Sequence, residues 1–212
     1  MKMQEGNKTI KEQGNSDMKE YRINEIFYSL QGEGRNTGQA AVFIRFSGCN
    51  LQCSFCDTDF TQYTSMTLDE ITQCLSKYPT PQSTGVALWC ILTGGEPSLQ
   101  ADTPLVEQLH QLGYRVAMES NGTHEPPQGI DWLTISPKVT PLVRHCQEVK
   151  VIFDGKHAPD DYSIKADYYY LQPCDTGDSQ QNGNIMRQCI DYIQQHPRWQ
   201  LSLQTHKLVG IK

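Results

Sequence analysis

No apolar run in this 212-residue chain approaches the ~20 residues that carry a helix across a bilayer, so the sequence contains no membrane-spanning helix. The N-terminus lacks a basic start followed by an apolar stretch. It does not read as a secretory signal, and the cytoplasm is the expected compartment. Positive charge is also scarce. Lys and Arg number 18 against 24 Asp and Glu, a formal net charge of -6. That balance argues against broad contact with a nucleic-acid backbone, so no nucleic-acid partner is expected. Internal repeats and low-complexity tracts are missing too. The rest, 37% hydrophobic and 20% charged, is ordinary for a single soluble domain with a real core.

Cysteine is not scarce: there are eight. Without a secretory context, that number points to metal or redox chemistry rather than disulfides. Cys49, Cys53 and Cys56 stand at a Cys-x3-Cys-x2-Cys spacing, and Asp57-Thr58 follows directly. An apolar run, residues 41–46, leads in through Ser47-Gly48. This reads as a buried strand with the sulfurs at its exit. Three thiols are one short of a closed zinc site, which takes four ligands. A zinc module that recruits a distant His or Cys stays open at this point. Three thiolates also suit a 4Fe–4S cluster with one iron left for a substrate. Cys74, Cys90, Cys146, Cys174 and Cys189 lie scattered in or near apolar segments and read as small buried hydrophobes.

Residues 1–20 are polar and aperiodic and are expected to form a disordered tail ahead of one domain, residues 21–212. Met18 would itself make a sensible start, and the first 17 residues are expected to be dispensable. Strand candidates follow at residues 23–28, 41–46, 88–92, 115–119, 132–135, 148–153, 168–171 and 199–203. Thr67-Leu68-Asp69-Glu70 is a capping box that opens one helix. Thr103-Pro104 starts a second with Pro at its first position, and Gly113 ends it. A last helix carries Ile185, Met186, Cys189, Ile190 and Ile193. Alternating strands and helices imply a mostly parallel α/β sheet. The helix slots at 122–131 and 139–147 are too short and proline-bearing for good helices, so a barrel built this way is incomplete. The polar and glycine-rich words all follow strands, and in parallel α/β folds sites form at the strands' C-terminal ends.

Cys-x3-Cys-x2-Cys with Phe55 before the third Cys resembles the radical S-adenosylmethionine superfamily. Thr93-Gly94-Gly95-Glu96-Pro97, one strand and helix later, supports the likeness. Four further words make the chain similar to the 7-carboxy-7-deazaguanine synthase family. They are Leu30-Gln31-Gly32-Glu33-Gly34, Cys56-Asp57-Thr58, Ser136-Pro137-Lys138 and Gln204-Thr205-His206-Lys207. Together they span nearly the whole chain beyond its tail.

The resemblance implies a partial TIM-like barrel with about six core strands and some helices shortened or missing. Cys49, Cys53 and Cys56 would hold three irons, and S-adenosylmethionine would chelate the fourth and be cleaved to a 5′-deoxyadenosyl radical. Phe55, Gly95, Ser136, Pro137, Lys138, Gln172, Pro173, Cys174 and Asp175 would contact that cofactor. Leu30, Gln31, Gly32, Arg45, Thr93, His206 and the terminal Lys212 would bind a pterin substrate, Arg45 through its carboxylate. Thr58 would ligate Mg²⁺ through its hydroxyl. Glu119 and Lys138 are the catalytic candidates. The expected reaction turns 6-carboxy-5,6,7,8-tetrahydropterin into 7-carboxy-7-deazaguanine with loss of ammonia, on the way to queuosine. A homodimer and a flavodoxin-type reductant are implied as well. Glycyl-radical activases share the cysteine spacing and are the nearest rival, but the Gln-Gly-Glu-Gly and Gln-Thr-His-Lys words tell against them.

Overall fold

The computed structural model describes residues 19–56 and 62–212. The expected tail therefore falls, up to residue 18, outside the described residues. Its last two members are folded. Lys19 Nζ donates to Gln100 O at 2.7 Å and pairs with Asp102 at 2.8 Å, and Glu20 opens the first strand.

Strand β1 (Glu20–Leu30) turns into β2 (Ala40–Phe46), and the cysteine loop follows. A short β3 (Thr64–Thr67) leads into α1 (Leu68–Leu75) and a single turn, α2 (Pro81–Thr84). The capping box is present: Thr67 accepts from Glu70 N, and the Glu70 carboxylate accepts from Thr67 N at 2.7 Å. Next come β4 (Trp89–Gly94), α3 (Thr103–Gln111) and β5 (Arg115–Ser120). Asp102, not Thr103, caps α3, so Pro104 sits second in the helix rather than first. The same carboxylate accepts from Tyr21 Oη at 2.7 Å and pairs with Lys19, tying the helix start to β1. Then β6 (Trp132–Ile135), β7 (His145–Phe153) and β8 (Lys165–Pro173) follow without intervening helices among the described residues. The chain closes with α4 (Ser179–Gln195), β9 (Gln200–Leu201) and α5 (Thr205–Val209).

These strands form one nine-stranded sheet in the order β3-β1-β2-β4-β5-β6-β7-β8-β9. From β2 to β9 every pairing is parallel, whereas β1 lies antiparallel between β2 and β3. The expected six core strands are β2 and β4 through β8. Strands β7 and β8 start earlier than their apolar runs suggest, because His145 and Lys165 already pair as a polar ribbon. The last strand is shorter than residues 199–203. After Leu201, the Ser202 side chain turns inward to donate to Gln172 Oε1 at 3.0 Å.

Side chains alternate across a strand. On the outer face, Val42, Ile44, Cys90, Leu92, Val116 and Met118 pack under Ile71, Leu75, Leu105, Leu109 and Ile185 from the helices. On the inner face, Phe27, Ala41, Phe43, Trp89, Ile91 and Ala117 form a smaller cluster, with the Phe27 and Phe43 rings stacked at 4.8 Å. Two residues further along, the inner face becomes polar. Ala41-Phe43 is followed by Arg45, Trp89-Ile91 by Thr93, and Ala117 by Glu119. Register sets these groups side by side: Arg45 lies opposite Thr93, Glu119 opposite Thr134, and Thr134 opposite Glu148.

Among the described residues, no strand ladder closes this sheet. The loop between β1 and β2 does so instead, reaching across the concave face to the far strands. Gly34 N donates to Ser202 Oγ at 3.0 Å, and Arg35 N donates to Glu148 Oε2 on β7 at 3.0 Å. Thr205 N donates to Gly32 O at 2.9 Å. Gln172 on β8 and Gln204 both donate to Glu33 Oε1, at 3.1 and 3.0 Å. Residues at opposite ends of the strand order meet only because the sheet curls on itself.

Candidate active site

The C-terminal ends of the strands open into a cavity of about 1040 Å³. Cys49, Cys53, Phe55 and Cys56 form one wall, and Gln172, Pro173, Cys174 and Asp175 another. Leu30, Gln31, Gly32, Arg45, Thr93, Gly95 and Glu119 line it from the first strands, Ser136 and Lys138 from the β6 exit, and His206 and Lys212 from the C-terminus. Sequence reasoning thus brings nearly all its candidates to one place. Pro137 is the exception: it is buried behind the wall and does not line the cavity. Thr58 lies outside the described residues.

The cysteine loop is braced from the neighbouring strand exits. Cys56 N donates to Cys53 O at 3.1 Å, and Leu51 N points at Cys49 Sγ, 3.4 Å away. Asn50 donates to Thr123 Oγ1 at 2.8 Å and accepts from Asn121 Nδ2 at 3.0 Å. The two glycines before Glu96 read as room for a ligand, yet the structure shows a second demand on them. Gly95 N donates to Phe46 O at 3.0 Å, and a Cβ on Gly95 would sit 1.9 Å from Gly48 O. Gly94 has φ +111°, and a Cβ there would sit 2.3 Å from Phe46 O. Only glycine lets the β4 exit press on the cysteine loop.

Glu96, which sequence reasoning passed over, is the hub of this region. It is buried, and its carboxylate accepts from Ser98 N at 3.1 Å, Ser98 Oγ at 2.6 Å, Ser120 Oγ at 2.7 Å and Asn121 N at 2.7 Å. A buried carboxylate needs such a set of donors.

An ionic cluster forms the floor of the cavity. Lys150, buried in β7, donates to Glu33 Oε2 and, at 3.0 Å, to Glu119 Oε2. Gln31 Nε2 donates to the other Glu119 oxygen at 3.1 Å. Burial alone would push Glu33 up. The Lys150 ammonium and the donors on Gln204 and Gln172 outweigh it and hold the carboxyl at about 2. Lys150 is pushed up against its own burial by Glu119, Glu33 and Glu148. Glu148 goes the other way, to about 7, through burial and the nearby Glu119. Lys138 falls to about 8 because it is buried and faces Lys150. Glu33, Glu148 and Lys150 also escaped sequence reasoning. The signal was available in Glu148-Val149-Lys150: two charges two residues apart in an apolar strand must share one face.

Arg45 has an internal partner. Its Nε donates to Glu25 Oε1 at 2.9 Å, and the Lys212 ammonium pairs with the second Glu25 oxygen. Both cations lie over the Phe27 ring, at 5.4 and 5.1 Å. Ser29 Oγ donates to Lys212 O at 2.6 Å, so the C-terminus is held over the cavity. His206 is half-buried against Gly32, where a Cβ would meet its Nδ1 at 2.1 Å.

The cysteine loop fits an iron–sulfur cluster better than a single ion. Among the described residues, no three His, Cys, Asp or Glu side chains gather tightly enough to hold one metal ion. The three thiols are none the less close enough to raise the Cys49 thiol, after burial and Glu96, by their mutual charge. They open on a cavity with room for a cofactor.

A curled parallel sheet with three thiols at the exit of its first parallel strand defines a class, and comparison with known proteins agrees. The Radical SAM superfamily matches residues 43–136, and its members use a 4Fe–4S cluster and S-adenosylmethionine. The particular family follows from full-length relatives. A 7-carboxy-7-deazaguanine synthase of Bacteroides thetaiotaomicron is 49% identical over 193 residues, covering 90% of this chain and 98% of that protein. One from Nitratidesulfovibrio vulgaris is 41% identical over 213 residues, covering 90% and 99%. The crystal structure of QueE from Escherichia coli superposes with a TM-score of 0.66 at 25% identity, covering 87% of this chain and 93% of that one. The chain belongs to the 7-carboxy-7-deazaguanine synthase family, a family of radical S-adenosylmethionine lyases.

Proposed function

We propose that the protein converts 6-carboxy-5,6,7,8-tetrahydropterin to 7-carboxy-7-deazaguanine and ammonia, feeding queuosine synthesis in the cytoplasm. One observation carries this reading beside the family. The cavity that holds the three thiols also presents, within one curled sheet, a guanidinium for a carboxylate and a carboxylate for N–H donors. When bound, the cluster and S-adenosylmethionine supply the radical that starts the rearrangement.

The chain's own residues do the rest. Cys49, Cys53 and Cys56 hold the cluster. Phe55, Gly95, Ser136, Lys138 and the segment from Gln172 to Asp175 seat S-adenosylmethionine, and Pro137 supports that wall from behind. Arg45 retains N–H groups beyond the one given to Glu25, and these take the substrate carboxylate as a charge-assisted pair. Leu30, Gln31, Gly32 and Thr93 flank the ring. Glu119 accepts from its N–H edge. His206 and the terminal carboxylate of Lys212 close over it and exclude water. Thr58, outside the described residues, would supply a hydroxyl oxygen to Mg²⁺, the kind of ligand a hard cation prefers. A flavodoxin-type protein is the electron donor, and the working state is a homodimer.

The test is anaerobic reconstitution with iron and sulfide, then incubation with carboxytetrahydropterin, S-adenosylmethionine, Mg²⁺ and a reductant. A deazaguanine product is expected. Uncoupled cleavage of S-adenosylmethionine with no deazaguanine would overturn the substrate assignment.

A further inference from the structure

Lys150 is the most deeply buried cation of the cavity, and none of the roles above uses it. Its side chain is 6% exposed and contacts two carboxylates that line the same space, Glu33 and Glu119. Those two carboxylates are not equivalent. Glu33 Oε1 already accepts from Gln172 and Gln204, and its Oε2 accepts from Lys150. Glu119 accepts one bond on each oxygen, from Gln31 and from Lys150. Each carboxylate oxygen offers about two acceptor positions. Glu119 therefore keeps an open position on both oxygens, the pattern that receives two parallel N–H groups. Glu33 is used up in holding the loop.

We propose that Lys150 is a positioning residue for the substrate: by pairing with Glu119 Oε2 it turns the open positions of that carboxylate toward an adjacent pair of N–H donors on the substrate's heterocycle. The identity of that heterocycle rests on the pterin reading above. The physical argument is a rivalry. Carboxylates brought together in a dry site repel one another and turn apart unless a cation lies between them. Among the described residues, Glu33, Glu119 and Glu148 face this region, with Lys150 between them, Lys138 on the rim, and Tyr170 and Arg35 beside Glu148. His206 approaches from the C-terminal side, against Gly32. With Lys150 in place, Glu119 keeps one orientation beside Glu33 instead of turning away from it.

Two measurements separate this proposal from the function reading. The first needs no substrate. Carboxyl ¹³C resonances are recorded at pH 7 in labelled protein, with Glu119→Gln giving the assignment. The Glu119 resonance should shift in Lys150→Met and return toward its wild-type position in Lys150→Arg. The second is the Michaelis constant for carboxytetrahydropterin on enzyme of matched iron content. Lys150→Met should raise it tenfold or more at pH 7 with a smaller effect on kcat. Lys150→Arg should restore most of the lost affinity. Adding Glu33→Gln to Lys150→Met removes the rival carboxylate and should restore part of the lost affinity. That neutral pair is also the variant to use if Lys150→Met does not fold. An unshifted Glu119 resonance in Lys150→Met, or a double variant no better than the single one, would overturn the proposal. A shifted resonance in a protein that makes no deazaguanine would leave the positioning role standing and remove the pterin reading.

Discussion

The two faces of the curled sheet are built from the same strands by opposite rules. On the outer face, β2, β4, β5 and β7 present mostly apolar residues to the helices. On the inner face β2, β4 and β5 begin apolar and turn polar at Arg45, Thr93 and Glu119, and β7 carries Glu148 and Lys150 there. The outer face is organised by removing area from water, which is tolerant of which apolar residue is used. The inner face is organised by pairing charges and donors that would be costly alone. Stability therefore resides mostly outside and chemistry inside. The strand's two-residue period is what lets one segment of chain serve both.

Substitutions can break or sharpen that contrast. The largest effect is expected at the cysteine loop. Cys53→Ala should abolish the brown chromophore and all product, while the apoprotein unfolds at the wild-type denaturant midpoint; a stability loss equal to a core mutation would blur the division. Leu105→Ala, on a residue fully buried under the outer face, should do the reverse. It should cost about 3 kcal/mol by chemical denaturation and leave the Michaelis constant of the folded enzyme unchanged.

Glu33→Gln tests whether the inner face also contributes to stability. A carboxyl held at about 2 in the fold, below its usual value of 4.5, stabilises the fold above pH 4.5, and that contribution fades as pH falls toward 2. The variant should be less stable by about 2 kcal/mol at pH 7, and the gap should narrow between pH 5 and pH 3. A gap independent of pH would point to packing rather than charge. The smallest effect is expected at Gly34→Ala, about 1–2 kcal/mol. Its φ is +66°, and the new Cβ would press on the Glu148 carboxylate. Glu148 would have to withdraw from the loop, so a rise in the Michaelis constant should accompany the stability loss.

The outer face was the more legible in the sequence. Its strands and helices announce themselves by apolar runs and by capping words such as Thr67-x-x-Glu70. The parallel order followed from their alternation. What escaped was set by long-range partners. β3 and α5 are short and polar, with no period to reveal them. The cysteines, Arg45 and Glu119 could be placed at strand exits, but their neighbours could not be counted from one strand alone. Glu33 looked like a turn residue because its partners, Lys150, Gln172 and Gln204, lie more than 110 residues away. Glu96 was hidden inside a glycine word, because two of its partners, Ser120 and Asn121, sit at the exit of the next strand.

The loop that reaches from β1 to the far strands has one more implication. A backbone ladder sets two edges a fixed ~4.8 Å apart, whatever the side chains. Here the two margins are joined by glutamate, glutamine, serine and threonine side chains, whose reach changes by one methylene at a time. The bore of this half-barrel is thus a quantity that point mutation can adjust in small steps. Relatives acting on wider or narrower rings could arise by trimming or extending the residues at positions 33, 172, 202 and 204, with every strand left where it is.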